Sequence, residues 1–224
     1  MNQYELIVFD WDGTLIDSEA RIVNCMRAAI ADLQLPSRSH EQMSNVIGLG
    51  LREALATLYP EGNHEVHQQL VERYREHFLV KDKTPSELFA GVETLLGELR
   101  TRGHYLAIAT GKGRAGLEMA LDETGLREYF DYTRCADETR SKPHPQMLEE
   151  IMDRLGVEAH DTLMIGDTEF DLQMANNAGT AAVAVSYGVH DKARLLACRP
   201  LACVDDIAAL HDWLVPETTL KTKG

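Results

Sequence analysis

The 224-residue chain contains no stretch approaching the roughly 20 uninterrupted apolar residues of a membrane-spanning helix, so no membrane partner is expected. Basic side chains are scarce. There are 22 Lys and Arg against 36 Asp and Glu, a formal net charge of −14. Such a surface repels a phosphodiester backbone, and no nucleic-acid partner is expected. A small anionic substrate would need a local positive spot, which lysines beside a site could supply. Cysteine is sparse as well: Cys25, Cys135, Cys198 and Cys203 form neither a CxxC pair nor a Cys/His zinc spacing. Reduced, mostly buried thiols are expected. None of the nine histidines stands in a HExxH-like pair. No internal repeat or low-complexity segment is visible. The opening residues Met1-Asn2-Gln3-Tyr4-Glu5 carry no basic start and no small-residue cleavage site, so the expected address is the cytoplasm.

What is present is a core-forming pattern. Hydrophobic residues make up 44%, too many for a disordered chain. Leu6-Ile7-Val8-Phe9 is a continuous apolar run that ends in a carboxylate, as suits a strand buried on both faces. Similar runs occupy residues 105–110, 162–167 and 181–185, with a weaker one at 201–204. Between them lie helical stripes. Val92, Leu95, Leu96 and Leu99 form one before Gly103; Met147, Leu148, Ile151, Met152 and Leu155 form another before Gly156. Leu172, Ala175 and Ala178 form a shorter stripe before Gly179, and Ile207–Leu214 reads as the last helix. Alternation of strand and helix from about residue 85 onward predicts an α/β fold with a parallel sheet. Residues 17–84 show helical patterns only, which predicts a helical insertion after the first strand. The expected division is a core of residues 1–16 and 85–215, a helical cap of 17–84, and a polar tail of 216–224.

In a parallel α/β sheet, ligands bind beyond the carboxyl ends of the strands. At those ends this sequence places Asp10-Trp11-Asp12, then Thr110-Gly111-Lys112, then Gly166-Asp167 with Asp171 one helical turn on. Lys142 stands in the loop Ser141-Lys142-Pro143-His144-Pro145. Clustered carboxylates repel one another unless a cation sits among them. Mg²⁺ prefers oxygen ligands and needs only one or two carboxylates beside a substrate phosphate. A carboxylate nucleophile splits phosphate-ester hydrolysis into two easier steps, and a second carboxylate two residues on can shuttle the proton. A lysine and a threonine hydroxyl balance the phosphoryl oxygens. The residues thus point to phosphoryl transfer through an aspartyl phosphate.

Residues 10–18, Asp10-Trp11-Asp12-Gly13-Thr14-Leu15-Ile16-Asp17-Ser18, resemble the first motif of the haloacid dehalogenase-like hydrolases. Thr110-Gly111-Lys112, Lys142-Pro143 and Gly166-Asp167-Thr168-Glu169-Phe170-Asp171 resemble the other three, in the same order. The helical insertion resembles the cap of the phosphoglycolate phosphatase and β-phosphoglucomutase branch. The resemblance implies a Rossmann-like core with an inserted helical cap. It implies Asp10 as nucleophile and Mg²⁺ ligand, and Asp12 as general acid/base with its backbone carbonyl on the metal. Asp167 would be the other carboxylate ligand, and Asp171 would stand behind it. Thr110, Lys142 and the Gly111 amide would hold the phosphate of a small phosphorylated metabolite. A cis Lys142–Pro143 bond is also implied. Two departures bear on substrate choice: Gly111 stands where many relatives carry asparagine, and Trp11 where a small or aliphatic residue is commoner.

Other residues have simpler readings. Asp17 and Ser18 are expected to shape the hinge and cap the next helix. Lys112 is read equally as a solvated lysine, His144 as structural, and Met43, Met147 and Met152 as core. Arg52 could reach a substrate anion or simply form a surface ion pair. Thr110 and Asp167 could each serve only as a helix cap. Two further functions stay open: a sugar phosphomutase on the same scaffold, and a non-catalytic phosphate- or metal-binding protein. Dehalogenation fits less well, because that branch lacks an acid at the position of Asp12. Phosphoglycolate as substrate rests on resemblance alone, and the choice between monomer and homodimer is open.

Overall fold

Short runs that are apolar at successive positions make strands covered on both faces. In the computed structural model, which describes residues 4–216, the described residues form eight strands. They are β1 (Leu6–Phe9), β2 (Ile16–Asp17), β3 (Glu87–Leu88), β4 (Tyr105–Thr110), β5 (Tyr132–Cys135), β6 (Thr162–Gly166), β7 (Ala181–Val185) and β8 (Ala202–Val204). Six form one parallel sheet in the order β5-β4-β1-β6-β7-β8. The expected polar tail lies, from residue 217 on, outside the described residues.

Alternation along β1 divides the core. Ile7 and Phe9 pack with Leu95, Leu99, Leu117 and Leu210 on one face. Leu6 and Val8 pack with Met147, Ile151 and Leu172 on the other. The first layer is built by α5 (Val92–Thr101), α6 (Arg114–Thr124) and α10 (Ile207–Leu214). The second is built by α7 (Gln146–Leu155), α8 (Glu169–Ala178) and α9 (Lys192–Ala197). This is an α/β, Rossmann-like arrangement.

Between β2 and β3 the chain forms α1 (Glu19–Asp32), α2 (His40–Ser44), α3 (Leu51–Leu58) and α4 (His64–Glu76), with a π-turn at His77–Lys81. These helices close on a third apolar cluster that includes Ile22, Met26, Leu55, Leu70 and Phe78. Strands β2 and β3 pair antiparallel, Ile16 with Leu88 and Asp17 with Glu87, and so tie the exit from the sheet to the return. No helix among the described residues is long and apolar enough to cross a membrane.

Candidate active site

Strand β1 lies between β4 and β6, and the chain fills one side of it before returning to fill the other. That reversal opens a crevice at the carboxyl ends of the strands. Asp10 enters it immediately after β1, its amide donating to the Ile165 carbonyl at 2.9 Å. The turn that follows needs Gly13. Its φ is +77°, and a Cβ there would lie 2.2 Å from Asp167 Oδ2. Asp167, after β6, is fully buried. Its Oδ1 accepts from the Thr14 hydroxyl at 3.0 Å and its Oδ2 from the Val189 amide at 2.8 Å. Asp171 accepts from the Thr168 amide and hydroxyl through Oδ2, at 3.1 and 2.7 Å.

Lys142 joins these groups from the loop before α7. Its side chain is 0% exposed, and Nζ donates to Asp171 Oδ1 at 2.6 Å. The same ammonium lies 2.8 Å from Asp10 Oδ1, a close ion pair without hydrogen-bond alignment. Both Asp10 oxygens are buried and lack a hydrogen-bond partner. Among the described residues, carboxylate oxygens of Asp10, Asp167 and Asp171 gather within 4.8 Å of one another. The peptide bond between Lys142 and Pro143 is cis.

The electrostatics follow from burial. Burial pushes the Asp10 carboxyl well above the usual carboxylate range; Lys142 opposes this, and Asp171 and Asp167 reinforce it. Asp167 is pushed up to about 7, by burial and then by Asp171, against the pull of the Val189 amide and the Thr14 hydroxyl. Burial works against the Lys142 charge, but the carboxylates of Asp10 and Asp171 outweigh it and hold the lysine above its ordinary value. For all three carboxylates to be ionised beside one ammonium, two negative charges would have to be compensated. A divalent cation would balance them. The donors are all hard oxygens and Asp10 has no other partner, so the residues fit Mg²⁺.

Asp12 is held differently. Its Oδ1 accepts from the Ser18 hydroxyl at 2.6 Å and pairs with Lys112 Nζ at 2.9 Å. With Asp10 it lines a cavity of about 500 Å³ whose wall also includes Gly111, Lys112 and Arg52. The segment between α2 and α3 lies against this crevice. The Gly50 amide donates to Ser141 Oγ at 2.7 Å, and Asn45 meets His190 and Arg194. Gly111 also faces this segment: a Cβ there would lie 2.5 Å from the Leu49 carbonyl oxygen and 2.6 Å from that of Gly48.

The structure thus brings Asp10, Lys142, Asp167 and Asp171 together, with Asp12 beside them. Thr110 is fully buried at the end of β4, and its hydroxyl accepts from the Lys112 amide at 3.1 Å. The caps of α6 and α8 are Gly113 and Thr168, so neither Thr110 nor Asp167 is a helix cap. Arg52 is exposed on the cavity wall and, among the described residues, has no ion pair.

Several expectations need correction. Lys112 is not a solvated lysine. Its side chain is 8% exposed, because it turns back to Asp12 with its ammonium 4.5 Å from the Phe78 ring centre. Ser18 stands at the N-cap of α1 but makes no side-chain cap bond, since the Asp12 carboxylate is a stronger acceptor. Cys198 and Cys203 are half-buried, whereas Cys25 and Cys135 are buried. Trp11 points into the core, edge-on to Phe130 at 6.4 Å, rather than toward the cavity. Thr14, Ser18 and Val189 received no site role from the sequence. For Thr14 and Ser18 the only signal was proximity to the two aspartates; for Val189 there was none.

The chain belongs to the haloacid dehalogenase-like hydrolases: the family's model matches residues 7–185. Within the family its curated relatives carry phosphatase names. It is 38% identical over 205 residues to the "Probable phosphatase IndB" of Dickeya dadantii, covering 89% of each chain. It is 30% identical over 216 residues to the "Pyrophosphatase PpaX" of Bacillus mycoides, covering 91% of this chain and 94% of that one. The crystal structure of a hydrolase from Pseudomonas syringae has the same fold, with a TM-score of 0.85 at 23% identity over 93% of this chain and 96% of that chain.

Proposed function

We propose that the chain is an Mg²⁺-dependent phosphomonoester hydrolase that works through an aspartyl phosphate on Asp10, acting on a small phosphorylated metabolite in the cytoplasm. The observation that carries this reading is the contrast between two carboxylates on one cavity wall. Asp10 is buried with only the Lys142 ammonium beside it, and Asp12 is steered by Ser18 and Lys112.

In the first step an Asp10 oxygen attacks phosphorus as the bond to the leaving oxygen breaks, and Asp12 gives that oxygen its proton. In the second, Asp12 takes a proton from a water that attacks the aspartyl phosphate, and inorganic phosphate leaves. Lys142, the Thr110 hydroxyl and the Gly111 amide steady the phosphoryl oxygens. Asp10, Asp167 and the Asp12 main-chain carbonyl would hold Mg²⁺, which when bound supplies positive charge against the phosphoryl oxygens. Asp171 keeps Lys142 in place from behind. Residues 17–84 act as a cap over a core of residues 1–16 and 85–215, and its closure excludes bulk water.

The test is turnover of 4-nitrophenyl phosphate with Mg²⁺. EDTA and Asp10→Asn should each abolish it. Asp12→Asn should slow alkyl phosphates more than the nitrophenyl ester, whose leaving group needs less protonation. Turnover that survives EDTA or Asp10→Asn refutes the mechanism.

A further inference from the structure

The cavity is larger than a phosphoryl group and a two-carbon leaving group need. Its volume of about 500 Å³ lies in the range that encloses drug-sized ligands. Beyond Asp10 and Asp12 its wall comes largely from the helical segment, with Ile22, Met26, Ile47, Leu51, Val71 and Phe78. All of these but Leu51 are buried. Away from the catalytic end the charged side chains on the wall are Arg52, Glu53, Arg75 and Asp137, and all four are exposed. The sheltered side chains of the wall away from the catalytic end are thus apolar apart from Tyr74, and its charged side chains stand on the exposed part. The one sheltered cation on the wall, Lys112, is already paired with Asp12. Among the described residues, a leaving group bearing its own carboxylate would meet unpaired cations only at Arg52 and Arg75, on the exposed part of the wall, and would lose its hydration on the sheltered part.

Resting on the phosphatase reading, we propose that the leaving group is a bulky apolar alcohol, alkyl or aryl, seated against the inner wall of the helical segment. Small anionic alcohols such as glycolate are disfavoured. The apolar body takes up the cavity while the phosphoryl group reaches Asp10. Turnover then scales with the apolar surface that the leaving group buries.

Unbranched alkyl phosphates from ethyl to octyl test this, because their leaving oxygens have nearly the same basicity and only apolar length varies. The expected result is a kcat/KM that rises about fourfold per methylene over the first members of the series. Phosphoglycolate should fall below butyl phosphate. Leu51→Asp places a carboxylate on the wall at the first position of α3, where a helix tolerates an acid. Because that charge also repels phosphate, the readout is the slope along the series, which should fall by at least half per methylene. A flat wild-type series, or phosphoglycolate ahead of hexyl phosphate, overturns the inference while leaving the phosphatase reading intact. Failure of every ester, 4-nitrophenyl phosphate included, overturns both. A wild-type slope in a folded Leu51→Asp variant refutes the assigned wall.

Discussion

A methyl group added at Gly111 should strike the main chain of the helical segment. The new Cβ would lie 2.5 Å from the Leu49 carbonyl oxygen, 2.6 Å from that of Gly48 and 2.9 Å from the Gly48 carbonyl carbon. Even weak carbon–oxygen contacts settle near 3.4 Å, so the overlap is about 0.8–0.9 Å on two backbone atoms. Backbone atoms cannot rotate away, and the segment must withdraw by about 1 Å. Overpacking of this kind costs about 1–3 kcal/mol, which corresponds to roughly 5- to 150-fold in rate. The strain is relieved when the segment leaves the crevice, so the global fold should hardly respond. Gly111→Ala is therefore expected to lower kcat/KM within that range while the melting temperature moves by less than about 4 °C. Gly97→Ala is the control, since its Cβ would meet only Tyr129 Cε1 at 3.8 Å. Steady-state kinetics on an aryl phosphate and a melting curve give both numbers. A Gly111→Ala enzyme within twofold of wild type refutes the claim that this contact completes the site. A melting temperature that falls in step with activity shows instead that Gly111 supports the fold as a whole.

Lys142→Met leaves Asp10 and Asp171 buried without their counter-charge and should cost about 3–5 kcal/mol in urea unfolding of the metal-free protein; a loss below about 1 kcal/mol would mean that the pair relaxes into water. Mg²⁺ at a hundred times its dissociation constant should stabilise the wild type by about 2.7 kcal/mol, and Asp167→Asn should lose most of that gain in the same melting assay. Equal Mg²⁺ stabilisation of the two proteins would remove Asp167 from the ligand set. Burial lowers the pKa of His104, whose Nδ1 lies 2.8 Å from the Tyr4 carbonyl oxygen. A depressed folded-state pKa means that its contribution is fully present above the unfolded value near 6.5 and is lost as pH falls below it. The wild-type urea midpoint should thus fall relative to that of His104→Gln between pH 7.5 and 5.5, a difference from which the opposite trend of Asp10 and Asp167, common to both proteins, cancels; a constant difference would assign no such role to His104.

Legibility varied with how local the cause was. β1, β4, β6 and β7 were visible as apolar runs because both faces of the sheet are covered, so every residue of a strand meets a hydrophobic layer. β5 was not visible. It is an edge strand, and Tyr132, Thr133 and Arg134 are only half-buried, so no apolar run marks it. The two-residue strands β2 and β3 carry no pattern of their own and exist because the chain crosses itself where it leaves and rejoins the core. Ser18 read as a helix cap because cap chemistry is local, but a carboxylate six residues back proved the better acceptor.

By itself the sequence determined the strand–helix alternation, the helical insertion and the carboxylates standing at strand ends, for these depend on residue type and short-range period. It therefore already contained Asp10 and Asp12 as a pair. Tertiary structure alone decided their environment. Lys112 could be assigned to Asp12 only once β4 lay beside β1. Lys142 reaches Asp10 and Asp171 across gaps of 132 and 29 residues, and which carboxylates share a buried ammonium is a matter of distance in space. The departure at Gly111 shows the same division. Its missing side chain was plain from the sequence, but the backbone of Gly48 and Leu49 that occupies the space belongs to a segment some 60 residues away.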